Sequence, residues 1–146
     1  SPHEAFLSLM GLAKCGVGDF EAVLDACVAG GLVDGATEER GYLLLQHALN
    51  TTDVVAAADR VEAMLAGSAY PGGGVSERMM VLVLQCHLRA ESDRFLERFK
   101  TFCAAVGGVD RAPRSWVELL IQWAERRRYR LPDGDRRYVV EEVLVA

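Results

Sequence analysis

The sequence predicts an all-α chain, an α-solenoid of about four antiparallel helix hairpins, and three observations lead there. Apolar residues recur at helical spacing along most of the chain, and period-2 alternation is confined to Tyr138-Val139-Val140 and Val143-Leu144-Val145, where continuity favours a helix. Gly, Asp and Ser punctuate the stripes as short helix–turn–helix units require. The bulky anchors Phe6, Tyr42, Met80 and Trp116 are separated by 36, 38 and 36 residues, which marks a repeat. A hairpin of two short helices cannot bury its apolar stripe alone, whereas stacked neighbours share one continuous core. Residues 1–146 therefore read as a single helical-repeat domain with approximate repeats 3–33, 34–74, 75–110 and 111–146.

The elements follow in order. Glu4 to Lys14 carries Phe6, Leu9, Met10 and Leu12, then stops at Cys15-Gly16-Val17-Gly18. Asp19 is expected to supply an N-cap oxygen to a helix with Phe20, Val23, Leu24, Cys27 and Val28 on one face, ending at Gly30-Gly31. Glu38 to Leu49 opens the second pair, Thr51-Thr52-Asp53 marks a cap, and Val54, Ala57, Ala58, Val61 and Leu65 form the next stripe before the Gly-rich run from Gly67 to Gly74. The third pair begins at Ser76 with Met79, Met80, Val83 and Leu84; a cap at Ser92-Asp93 precedes Phe95, Phe99, Phe102 and Val106, and Gly107-Gly108 closes it. The fourth opens at Pro113, a residue tolerated in a first helical turn, and runs through Trp116, Leu119, Leu120 and Trp123. The turn Leu131-Pro132-Asp133-Gly134 leads to a last helix from about Asp135 to Leu144, eight helices in all.

Composition narrows the functional classes. With 51% hydrophobic and 25% charged residues the chain can bury a core. The net charge of −5 argues against a generic nucleic-acid coat, which needs surplus Lys and Arg. Residues 1–110 hold 8 basic and 15 acidic residues, whereas 111–146 hold 8 basic and 6 acidic, so anionic ligands have one plausible surface, at the chain's end. No apolar run approaches the ~20 residues of a membrane span, and no membrane partner is expected. The opening Ser-Pro-His-Glu has neither an apolar signal core nor an Arg-rich leader, so the chain is expected to be trimmed or processed ahead of it. Cys15, Cys27, Cys86 and Cys103 are spaced by 12, 59 and 17 residues without a C-x-x-C pair, which predicts buried, reduced thiols in a reducing compartment, and no metal.

Leu12-Ala13-Lys14-Cys15-Gly16 followed by Gly18-Asp19-Phe20-Glu21-Ala22 resembles the turn between the two helices of a pentatricopeptide repeat. Gly31 to Thr37, then Tyr42 to Leu49, then Asp53 to Leu65 resembles a whole repeat of that family. The tetratricopeptide family is the nearest rival, but the Gly it places inside the first helix does not recur. The resemblance spans residues 3–125 and is strongest over 31–66. It implies a right-handed superhelix, an organellar location in mitochondria or plastids, of which the mitochondrion is expected here, and single-stranded RNA bound one base per repeat. That family reads bases with a polar side chain just after the aromatic anchor, and the matching residues here, Leu7, Leu43, Val81 and Val117, cannot hydrogen-bond a base edge. These four are expected to line a groove for protein partners. The expected function is a non-catalytic scaffold subunit of a mitochondrial ribonucleoprotein assembly involved in RNA processing or translation. Single-stranded RNA binding by the groove or by the C-terminal arginines is the alternative.

Other chemistry is weakly signalled. Cys86-His87 would need two side chains about 100° apart on a helix to meet, so the pair reads as a core thiol beside a core imidazole. His3, His47 and His87 lie at no metal-ligand spacing such as H-E-x-x-H, and there is no G-x-S-x-G elbow. Gly72-Gly73-Gly74 lacks the Lys-Ser/Thr of a phosphate loop and reads as an inter-repeat connection. Neither catalysis nor a cofactor is expected. The RNA-binding candidates are Arg126, Arg127, Arg128, Arg130, Arg136 and Arg137 with Tyr129 interleaved, because guanidinium groups grip phosphates while a ring stacks on a base. The competing reading of this cluster is a solvated helix end, its arginines near a C-terminal dipole and paired with acidic neighbours.

Overall fold

Helical periodicity is realised along the chain. A computed structural model describes residues 2–33, 38–66, 75–127 and 129–145, and among these there are eight α-helices and no strand. They are α1 (Pro2–Lys14), α2 (Phe20–Ala29), α3 (Glu38–Asn50), α4 (Val54–Ala66), α5 (Glu77–Arg89), α6 (Arg94–Val106), α7 (Arg114–Arg126) and α8 (Asp133–Arg137). A short 3-10 turn, Val109–Arg111, precedes α7, and α8 runs on into Tyr138–Leu144, which winds with wider, π-type turns. The chain divides into two compact units, Ser1–Cys86 and His87–Ala146, the division falling inside α5.

In the first unit α1 packs on α2 and α3, α2 on α3, and α3 on α4. Its core gathers Leu9, Ala13, Phe20, Leu24, Leu43 and Leu44, one stripe from each of α1 to α3. Ala57, Ala58 and Val61 bury the inner face of α4. Asp53 caps α4 as expected, its Oδ1 accepting the Ala56 N–H at 3.0 Å. Asp19 does not cap α2 with its side chain. Its backbone lies at φ −100°, ψ 20°, outside the extended region from which a cap oxygen folds back over the first turn.

The α1–α2 turn is set by Gly16. The Gly16 N–H donates to Ala13 O and the Val17 N–H to Leu12 O, the paired bonds of a helix terminus whose exit residue is left-handed, and Gly16 has φ +67°. A Cβ at this position would stand 2.5 Å from the Asn50 carbonyl oxygen, so the turn sits backbone to backbone on the end of α3.

At the start of α3, the Glu38 carboxylate accepts hydrogen bonds from the Ser76 hydroxyl and from Arg78. The Ser76 bond first and Arg78 second hold that carboxyl below its ordinary value. Arg78 also lies over the Tyr42 ring, 4.3 Å from its centroid.

The second unit is built on aromatic side chains. Phe95, Phe99 and Phe102 are all buried on one face of α6, as their spacing predicts. Phe95 stacks on Trp123 at 5.4 Å between ring centroids, and Phe102 meets Trp116 at 6.2 Å. Leu120, Leu131 and Val139 complete the core, and Lys100 lies over the Tyr138 ring.

Cysteine placement departs from expectation in one unit. All four thiols are free, but Cys15 is exposed and Cys27 half-buried, and only Cys86 and Cys103 are buried. Cys15 misses the core because α1 ends at Lys14, which puts it on the exit turn.

Candidate functional site

The arginine cluster at the end of α7 divides into two parts. Trp123 Nε1–H donates to Ser92 O at 2.9 Å, Arg126 Nη1 to Leu88 O at 3.3 Å and Arg127 Nη1 to Glu91 O at 2.6 Å. All three carbonyls belong to the end of α5 or to the turn after it. Arg127 also pairs with the Asp93 carboxylate and lies over the Trp123 ring, 5.3 Å from its centroid. The last carbonyls of a helix have no intrahelical partner and carry its negative dipole end, so donated guanidinium N–H groups satisfy both the hydrogen bond and the charge. The turn needs such support. Glu91 is the only described non-glycine residue with positive φ, +49°, and it occupies the left-handed exit position, with Ser92 N–H donating to His87 O.

The second part faces solvent. Tyr129 is 86% exposed, and Arg130, Arg136 and Arg137 are exposed beside it in the chain. Arg128 lies outside the described residues, as does the 67–74 segment that holds Gly72-Gly73-Gly74.

An open groove of about 270 Å³ runs between α7 and the terminal helical segment. Ile121 and Ala124 of α7, Leu131 of the turn, and Val139, Val140 and Leu144 form its apolar walls. Glu125 and Arg136 are its charged members.

The four positions matched to base-reading residues do not share one environment. Leu7 is exposed and Val81 and Val117 are half-buried, whereas Leu43 is fully buried in the first unit's core. Leu43 is therefore out of reach of a partner, because on α3 it faces the α1 and α2 stripes and not solvent.

One polar cluster carried no sequence signal. His47 is buried, stacks on Phe20 with ring centroids 4.8 Å apart, and contacts Val17 O through Nε2 at 2.6 Å and Arg60 Nη2 through Nδ1 at 3.3 Å. A guanidinium can only donate, so Nδ1 accepts and Nε2 carries the proton given to Val17 O. The cluster ties α4 and the α1–α2 turn to α3. Cys86 and His87 are both buried.

Among the described residues no group of three or more His, Cys, Asp or Glu is gathered as a metal ion would require, and no helix is long and apolar enough to cross a membrane. No protein-family model matches the chain, and neither a curated protein nor a solved structure matches it.

Proposed function

We propose that the chain is a non-catalytic helical-repeat scaffold whose hairpins stack as an α-solenoid of pentatricopeptide-like units. Its main role in this reading is to bind protein partners within a mitochondrial ribonucleoprotein assembly that processes or translates RNA. The observation that carries the preference for protein over RNA is the occupation of Arg126 and Arg127 by the chain's own backbone carbonyls. One guanidinium N–H of each is thereby committed to the chain's own turn, and Arg127 is paired with Asp93 as well. Packing of α1 on α3 and of α2 on α3 supports stacking of successive hairpins in the first unit. The compartment rests on the sequence resemblance alone.

Affinity purification of the tagged protein with and without RNase tests the reading. Partner proteins retained after RNase treatment are the expected result, and loss of every partner on RNA digestion would overturn it. Direct RNA binding is favoured by one feature, the exposed Tyr129 next to the exposed Arg130. If RNA binds there, replacing Arg130, Arg136 and Arg137 by Gln lowers the salt slope by about 0.7 for each phosphate that is no longer neutralised. Arg126 and Arg127 are unsuitable for that test, since their replacement also releases the turn after α5.

A further inference from the structure

We propose that α8 and the Tyr138–Leu144 turns together form a latched strap, which swings off α7 about the Leu131-Pro132 turn while α6 and α7 stay folded, and that its opening admits small reagents to the buried Cys103 thiol. This goes beyond the scaffold reading above and does not rest on it.

Very little holds the strap down. Of the twelve described residues from Asp133 to Leu144, five in α8 and seven in the wider turns, Val139 is the one that is buried. Tyr138 beside it is half-buried, with Lys100 Nζ 4.4 Å from its ring centroid. These two adjacent residues are the latch. Past them Val140 is 45% and Leu144 48% exposed, and Glu141 and Glu142 face solvent. Packed interiors leave few voids larger than a water molecule, yet about 270 Å³ stays open where Ile121 and Ala124 of α7 meet Val140 and Leu144. The groove is the space left under a loose seat, and atoms across it forfeit the contact that docking would otherwise supply.

Local structure does not hold the strap either. Val145 N–H donates to Val140 O at 3.0 Å, an i→i+5 bond, and the wide turns run over seven residues, whereas such turns ordinarily occur singly inside an α-helix. An α turn would set Val139 over Val143 and Val140 over Leu144, and the wider turn sets Val139 over Leu144. Both windings gather the same four apolar residues on one side, so their burial selects neither. Val139, Val140 and Val143 are β-branched and lose side-chain freedom in a helix. A helix of about twelve residues is marginal in water without tertiary support, so a strap that leaves α7 also unwinds. Detachment is therefore a local unfolding step with its own, low free energy.

Cys103 lies next to the latch. It is buried on α6, three residues after Lys100, and close enough to Tyr138 for charge on one to act on the other. Lifting Tyr138 away from Lys100 gives solvent a route to the thiol.

The test follows two readouts on the full chain, amide hydrogen exchange by NMR and alkylation of Cys103 by iodoacetamide, resolved from the other cysteines by peptide mass spectrometry. Amides from Arg136 to Leu144 are expected to exchange as one group, at least about a hundredfold faster than those in the middle of α6 and α7. Cys103 is expected to react through the same opening, ahead of the α6 amides. Val139→Ala weakens the latch and is expected to speed strap exchange and Cys103 alkylation by one common factor of about ten, with α6 and α7 amides changed far less. Strap amides as slow as those of α6 overturn the proposal. So does Val139→Ala speeding α6 exchange by the same factor, because the strap then opens only when the whole unit unfolds. Fast strap exchange with Cys103 no more reactive than the α6 amides also overturns it, since the thiol is then covered by something else.

Discussion

Gly16→Ala tests the backbone contact that closes the first hairpin, and two other glycines of the same unit make it a graded series. Gly18 has open space where a Cβ would go and no positive φ, so Gly18→Ala should change stability by less than about 1 kcal/mol. Gly31 also has open space but φ +76°, so Gly31→Ala isolates the left-handed strain of about 1–2 kcal/mol. Gly16 combines φ +67° with a Cβ position 2.5 Å from Asn50 O. Neither side can retreat cheaply. The atom in the way is the main chain of α3, and Val17 O on the other side is held by His47 at 2.6 Å. Overpacking of about 1–3 kcal/mol therefore adds to the strain, for a total of about 2–5 kcal/mol. With a urea slope of about 1–3 kcal/mol per M, a loss near 3 kcal/mol lowers the midpoint by about 1–3 M. Far-UV circular dichroism is the appropriate probe, because Trp116 and Trp123 both lie in the second unit and report only there. A Gly16→Ala midpoint no lower than that of Gly31→Ala would show that the approach to Asn50 is not a close one.

Three further expectations concern the second unit. Glu91→Gly relieves a left-handed residue while keeping the carbonyl that Arg127 engages, so it should stabilise by up to about 1 kcal/mol, read by Trp fluorescence in urea; a loss of stability would deny the strain at φ +49°. Phe99→Ala empties a fully buried site and should lose about 3–5 kcal/mol, and a loss under about 1 would place this face of α6 elsewhere. Burial lifts the Cys103 thiol from 9.0 to about 11, and burial, then Cys103 and Glu142, lift the Tyr138 hydroxyl from 10.0 to about 12. Both groups hold their protons more tightly folded than unfolded, so their stabilisation is whole below about pH 9 and is lost as pH climbs toward 12. Cys103→Ala should flatten the lower part of that alkaline decline, and an unchanged pH profile would show that the thiol does not contribute.

The helices were legible because each has an apolar stripe and a stop residue, and both signals are local. The α6 stripe of Phe95, Phe99 and Phe102 is one case, and the Gly16 exit is another. Side-chain capping was legible only where backbone geometry allowed it. Asp53 caps and Asp19 does not, although both precede an apolar run; Asp19, at φ −100° and ψ 20°, lies outside the extended region from which a cap oxygen folds back. The Tyr138–Leu144 turns are wider than an α-helix, which residue spacing does not encode. Least legible were the bonds to main-chain carbonyls. His47 finds Val17 O thirty residues away, and Arg126 finds Leu88 O thirty-eight away. A carbonyl has no residue identity, so nothing at the accepting position marks the pairing. That is why the arginines of α7 read as a ligand surface when two of them are internal supports.

The clamp on the turn after α5 has a consequence for how the chain can change over generations. Arg126 and Arg127 hold the carbonyl oxygens of Leu88 and Glu91, and Trp123 holds that of Ser92, so these bonds survive a change of side chain at 88 and 91. The carbonyl contacts therefore do not depend on which side chains the turn carries, whereas the left-handed φ at Glu91 and the pairing of Asp93 with Arg127 do. Part of the instruction for its shape is written instead into Trp123 and Arg126 of α7 and Arg127 just after it, where each substitution removes one support.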